Sequence, residues 1–255
     1  MMYPNKIQIL KNALSPKKWE NYKRFFQLNI LKYLVFWFTL VPIVAVLFED
    51  VPEQIAINIG EAELVLNIEL PFYWELMWLS SFFFVVALFL YKVFCPDFIH
   101  KYNKYGDYEV YGHDPRWLVW ESHFLLMYIN DKQRSKFLDR LTTKEYATTV
   151  KAEDIPNKDL EGPIVEKSQT VLFIEHGSEY VRLGLPIDSV GFEKGIFYEI
   201  FGRYSESHRV IRWCIQVFLI ISVLLFVVVL GQHIYEGLQF IFNSVSGLWP
   251  CHEQV

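Results

Sequence analysis

Chemistry in this chain has to start from its histidines, cysteines and carboxylates, so their spacing comes first. The seven histidines are His100, His113, His123, His176, His208, His233 and His252. None falls in HxH, HxxxH or HExxH, the spacings that set two imidazoles on one ion. His113, Asp114 and His123 are the trio from which a metal site would be assembled, but ordinary turn and helix positions explain them better. Asp107 and Glu109 form a DxE pair, which is too common to name a nuclease. GxGxxG, GxxxxGK[ST] and GxSxG are all missing. Cys95, Cys214 and Cys251 include no CxxC, and no internal disulfide is expected. The expectation is a non-enzyme with no cofactor and no metal.

Polar residues inside apolar stretches are the second kind of candidate. Three windows carry an apolar excess. Tyr33 to Phe48 is 16 uncharged residues, Leu76 to Tyr91 is 16, and Trp213 to Gly231 is 19. A hydrocarbon core of ~30 Å needs about 20 helical residues, and flanking Lys, Glu and Tyr extend the two shorter windows. Within and beside these windows Ser80, Ser81, Gln216 and Ser222 are the polar candidates, together with Thr39. They would line a pore made by several copies, or hydrogen-bond helix to helix within one copy. No charge crosses a midplane, unlike the usual proton or ion transporter.

The elements that position these residues follow from charge. Residues 1–29 hold six basic residues against one acid, Glu20. Residues 49–72 hold six acids and no base. Residues 96–208 hold 14 bases and 19 acids, and residues 232–255 hold no Lys or Arg. Basic residues stay on the cytoplasmic side of membranes. The expected layout is therefore a basic amphipathic lead-in (1–29), a first span (30–48) and an extracytoplasmic hairpin loop (49–72). A second span (73–95), a cytoplasmic α+β domain (96–208), a third span (209–231) and an extracytoplasmic amphipathic tail (232–255) complete it. This is an integral membrane α-helical fold with three transmembrane helices. It would sit in the inner (plasma) membrane, multi-pass, N-terminus inside and C-terminus outside. The chain is 53% hydrophobic yet 21% charged, which suits spans plus a water-facing domain.

Ser15-Pro16 reads as a helix start, running unbroken into the first span. Trp19, Tyr22, Phe26 and Ile30 share a face expected to lie along anionic headgroups, with Lys17, Lys18, Lys23 and Arg24 around it. Trp74, Glu75 and Trp78 belong at the outer interface of the second span, and Arg209, Arg212 and Trp213 at the inner end of the third. In the loop, Ile55-Ile57-Ile59 and Leu64-Leu66-Ile68-Leu70 alternate on either side of Gly60-Glu61, a hairpin pattern. In the domain, Trp117, Trp120, Phe124 and Met127 are expected as a core stripe. A second helix follows, then a polar loop at 153–168. A hairpin turning at His176-Gly177-Ser178 and a last helix near 191–201 complete the domain. A net charge of 14 − 19 = −5 over residues 96–208 argues against direct nucleic-acid binding.

Two functions from different classes fit. In the first, the domain senses a cytoplasmic partner or ligand, and the spans, as a homo-oligomer, perturb or permeabilise the bilayer. Small membrane effectors of bacterial anti-phage systems, including those encoded beside retrons, have this general plan; the likeness is one of layout, with no motif behind it. In the second, the chain is an anchor or assembly subunit that recruits a cytoplasmic enzyme. A third, weaker reading is a membrane enzyme whose site lies near His100, Asp107, His113 and Asp114.

Overall fold

The computed structural model describes residues 15–29, 73–155, 162–186 and 191–247, the strands at 54–59 and 62–67, and scattered positions from 31 to 47. The chain is mostly helical, with one four-stranded antiparallel sheet and a separate two-stranded ribbon. It divides into two compact units. The first 14 residues, the Pro42 position, residues 156–161 and the last eight residues, with Cys251 and His252, lie outside the described residues, as does most of the first apolar window.

The first unit holds two long helices, α2 (Trp74–Phe94) and α8 (Arg209–Gly247). Both are long and apolar enough to cross a membrane. At 1.5 Å per residue, α2 is about 32 Å long and α8 about 58 Å. α2 stops before Cys95-Pro96, because a residue preceding proline is pushed out of the helical region. α8 runs through Gly231 and Gly237 without a break, so the described part of the expected tail, residues 232–247, continues the same helix. Met77, Ser80, Ser81, Phe84, Ala87 and Tyr91 are buried and recur every three or four residues, which makes them one face of α2. Met77 and Phe84 join Val229 of α8 and Leu31 and Phe38 of the expected first span in one cluster. Phe83 stacks on Phe218, with ring centres 5.9 Å apart. The ribbon pairs β1 (Gln54–Ile59) with β2 (Ala62–Asn67), Ile55 opposite Leu66 and Ile57 opposite Leu64. Its register therefore matches the alternation of the sequence; the Gly60-Glu61 turn lies outside the described residues.

The second unit joins Pro16–Arg24 to Phe94–Arg209. α1 (Trp19–Phe26) buries Trp19, Tyr22 and Lys23. The expected helix is interrupted by a turn at Gln27, with i→i+3 bonds from Leu28 to Phe25 and from Leu31 to Leu28, and the described positions from Asn29 to Leu47 are helical again. After α1 the unit continues with α3 (Asp97–Lys101), α4 (Tyr105–Val110), α5 (Trp117–Tyr128) and α6 (Asp131–Thr143). Asn130 starts α6 by accepting a hydrogen bond from the Gln133 N–H at 3.0 Å. The sheet runs β3-β6-β5-β4, from β3 (Thr148–Val150), β4 (Ile164–Val165), β5 (Gln169–His176) and β6 (Glu179–Pro186). α7 (Phe192–Glu206) closes the unit.

Alternation puts Leu172 and Ile174 of β5 opposite Leu183 and Val181 of β6, all buried. With Leu118 and Leu125 of α5, Phe137 and Leu141 of α6, and Ile196 and Phe197 of α7 they belong to the core. Beside it Phe98, Tyr102 and Tyr108 surround Phe197, and Tyr204 stacks on Phe98, ring centres 5.1–5.9 Å apart.

Three expectations are corrected here. The α5 stripe is not core: Trp117 is 51% exposed, Phe124 47% and Met127 66%, while Leu118, Val119, Ser122 and Leu125 face inward. α5 is apolar on both sides, so spacing alone does not choose the buried face. The polar loop at 153–168 contains a 3-10 turn (Ala152–Asp154) and the short strand β4. Trp19 and Tyr22 of the expected lipid-facing stripe are buried in protein, the Trp19 indole N–H donating to the Ser207 carbonyl at 3.2 Å, while Phe26 is half-buried and Ile30 lies outside the described residues.

Candidate functional site

The polar residues of the spans come first. Ser80 and Ser222 meet: the Ser80 hydroxyl donates to the Ser222 carbonyl at 2.8 Å, and both side chains are buried. Ser81 donates to the Met77 carbonyl one turn back, at 2.8 Å. Serine is small enough to let the two helices approach, and its hydroxyl is satisfied by backbone. Gln216 is half-buried, on a different face of α8 from Ser222. The structure thus brings Ser80 and Ser222 together inside one copy.

The basic residues near the first window are placed unequally. Lys17 and Arg24 are exposed, and Arg24 donates to Asn21 at 2.6 Å. Lys18 pairs with Glu206 at 3.2 Å. Lys23 is buried and donates to the Ile99 carbonyl at 2.6 Å and the Tyr102 carbonyl at 3.2 Å, closing the end of α3. Burial holds its ammonium below the ordinary lysine value. Lys23 is therefore a structural cap, contrary to the expectation of a headgroup contact. Glu75, Trp78 and Arg209 are exposed, Trp213 is half-buried and Arg212 is buried; nothing is described of the Trp74 side chain.

The histidine trio is not assembled. His113 Nε2 lies 3.0 Å from Lys101 Nζ, and its ring sits among Tyr102, Tyr108, Tyr111 and Trp117. Burial and the neighbouring ammonium hold its imidazole below the usual value. Asp114 is engaged by the Arg116 guanidinium at 2.9 and 2.7 Å, which keeps its carboxyl below the usual range. His123 stands beside Phe124 and faces Gly162. Asp107 accepts the Asn103 N–H at 2.8 Å. No group of three His, Cys, Asp or Glu among the described residues is placed to hold a metal. Neither Cys95 nor Cys214 is joined in a disulfide.

One buried carboxylate carries more weight. Glu199 on α7 takes two hydrogen bonds from Arg140, at 2.6 and 2.8 Å, and one from Lys144 at 2.6 Å, both on or next to α6. Burial alone would raise its pKa; the hydrogen bonds and charges of the two cations outweigh it and leave the group below the ordinary value. This clamp holds α6 to α7.

Open space in the second unit lies along α5. A cleft of about 680 Å³ is walled by His123, Leu126 and Met127 of α5 and by the consecutive residues Leu172 to Glu175 of β5. A smaller one, about 380 Å³, is lined by Trp117, Trp120 and Phe124 with Arg116, Val165 and Thr170. The outward aromatic stripe thus borders both clefts. The sequence signal was present in its spacing; what it lacked was the side it faces. No protein-family description, no curated protein and no solved structure matches this chain.

Proposed function

We propose that the chain is a membrane-embedded effector. Its sheet-bearing unit senses a cytoplasmic protein or ligand, and its long helices, in a homo-oligomer, perturb or permeabilise the membrane. The basic-residue asymmetry supports an N-terminus and sheet domain inside and a C-terminus outside, with the first window as a third span. The observation that carries the membrane part is the outward surface of α2 and α8. Trp78, Phe82, Val85, Phe89 and Val93 on one helix, and Ile220, Leu224, Val227 and Leu238 on the other, are exposed and apolar. A patch of this extent is costly in water and favourable against lipid or another copy. The clefts along α5 support a binding role for the sheet domain.

A second reading, the anchor or assembly subunit that recruits a cytoplasmic enzyme, is favoured by the serine pair. Ser80, Ser81 and Ser222 spend their hydroxyls inside one copy, so they offer no polar stripe to a channel. On the effector reading the oligomer therefore disturbs lipid through apolar faces and not through a serine-lined pore. Induced expression with a potential-sensitive dye separates the two. An effector depolarises cells at membrane levels that leave an anchor silent.

A further inference from the structure

The last turn of α5 leaves apolar side chains in the open. Met127 is 66% exposed, Phe124 47% and Tyr128 37%, while Leu118 and Leu125 of the same helix face inward. Exposed apolar residues scattered singly are ordinary, so what matters is where this turn stands.

Tyr128 touches both points where the sheet unit joins the long helices. Its hydroxyl donates to the carbonyl of Phe94, the last residue of α2, at 3.3 Å. Its ring meets the His208 imidazole edge-on, centres 4.5 Å apart, one residue before α8 begins. Phe94 is itself 37% exposed, and Val93 in the last turn of α2 and Val210 in the first turn of α8 are 55% and 75% exposed. The open apolar surface of the long helices thus continues onto the end of α5. Exposed cations stand beside these ends: Lys92, Arg209, and Lys18, which pairs with Glu206 at 3.2 Å. Exposed Asp97 and Asp131 offset them in part.

Magnitudes decide how much of α5 lipid can reach. The headgroup layer adds about 5–8 Å on each side of the hydrocarbon core. Met127 adjoins Tyr128, and Phe124 lies four residues back, at most about 6 Å along the helix axis. If Phe94 and Arg209 stand at the inner surface, all three side chains start within the depth of that layer at any tilt of α5. Trp117, about 16 Å from Tyr128 along the axis, can stand clear of it.

We infer that the C-terminal turn of α5 docks the sheet unit on the inner leaflet, with Phe124, Met127 and Tyr128 at the boundary between headgroups and acyl chains. The rings and the thioether exchange water for lipid there, while the Tyr128 hydroxyl and the neighbouring cations suit the headgroups. This gives the sheet unit a third hold on the bilayer besides its two covalent ends. It rests on the membrane reading proposed above, which sets Phe94 and Arg209 at the inner surface.

The test uses the full chain in nanodiscs of phosphatidylethanolamine and phosphatidylglycerol, with Cys95, Cys214 and Cys251 replaced by Ser. A polarity-sensitive dye is attached at Met127→Cys or at Phe124→Cys; both positions are exposed, so one reports if the other misfolds. Leu224→Cys on the outward surface of α8 reports on the membrane reading itself, and Ser178→Cys in the β5–β6 turn on the rest of the sheet unit. Each is measured in plain lipid and in lipid brominated near the headgroup end of the acyl chain. Bromine should remove about half of the emission at 127 and 124 and leave 178 nearly unchanged. Quenching at 224 without quenching at 127 and 124 overturns the inference and leaves the membrane reading standing. No quenching at 224 overturns the membrane reading and the inference with it. Blue-shifted but unquenched emission at 127 and 124 would put protein on the turn, as from a second copy, and overturns the inference. So does equal quenching at 178, which would mean that no particular turn docks.

Discussion

The two units bury polar groups differently. In the helical unit the polar side chains buried along the middles of α2 and α8, Ser80, Ser81 and Ser222, are neutral, and the buried charge among the described residues, Arg212, stands in the first turn of α8. In the sheet unit the buried polar groups include charges: Glu199, Lys23 and Arg203. Arg140 and Lys144 grip Glu199 while keeping 45% and 42% of their own side chains in solvent. A charge can be buried at moderate cost when its partners still reach water. That arrangement needs water at the surface. The outward faces of α2 and α8 have no such outlets along their middles; their charges, Glu75, Lys92, Arg209 and Arg212, stand in terminal turns, and Glu236 lies beyond the apolar stretch of α8. The contrast fits the proposed arrangement, in which water surrounds one unit and lipid the other.

Mutations sharpen this contrast, beginning with the largest effect. Trp19 is fully buried, and Trp19→Ala should cost about 4 kcal/mol in the sheet unit. Thermal melting of the chain in nanodiscs, followed by near-UV circular dichroism, should show it. If Trp19 lay on lipid instead, the melt would scarcely move.

Glu199→Gln should cost about 2 kcal/mol, with the loss confined to neutral pH. The folded pKa lies below the ordinary 4.5. The clamp's stabilisation is therefore complete above about pH 4.5 and fades as pH falls through the folded value. Parent and variant melting temperatures should converge in acid. Parallel curves from pH 3 to pH 7 would remove the charge from the account.

Ser222→Leu forces a larger side chain into the contact between α2 and α8 and should cost about 2 kcal/mol. Ser80→Ala, which only deletes the hydroxyl, should cost about 0.6 kcal/mol. Steric-trap unfolding in bilayers measures both. An unchanged Ser222→Leu would mean the serine faces open space.

Gly195→Ala sets two opposing effects against each other. Its new methyl would run into the Tyr146 ring. The displaced ring costs about 1–3 kcal/mol and the better helix former returns about 1 kcal/mol, which leaves a small net loss. Tyr146→Ala should relieve it, making Gly195→Ala neutral or stabilising in that background.

Much of this arrangement was legible beforehand, for physical reasons. The apolar windows of α2 and α8, the β1–β2 ribbon and the β5–β6 hairpin are written in local periodicity, and each was readable at its place. The turn itself needs Gly177, whose φ is +67°. Lys23, Trp19 and the α5 stripe were misjudged because each is decided by tertiary partners. Nothing near Lys23 in sequence announces that the Ile99 and Tyr102 carbonyls will meet its ammonium. The apolar spacing of α1 suits a lipid surface and a protein surface equally. The Glu199 clamp joins residues 55 or more apart, and no local pattern carries it.

The proposed function requires that α8 cross a bilayer and leave the sheet domain on the cytoplasmic side. Cysteine labelling tests it most directly. In a chain with Cys95, Cys214 and Cys251 replaced by Ser, one new cysteine is placed at Ser178 in the β5–β6 turn, or at Ile241 near the far end of α8. Both positions are exposed. A membrane-impermeant maleimide should label Ile241→Cys in intact cells and Ser178→Cys only after the membrane is opened. Labelling of both from the same side would contradict the crossing and the solvent contrast built on it.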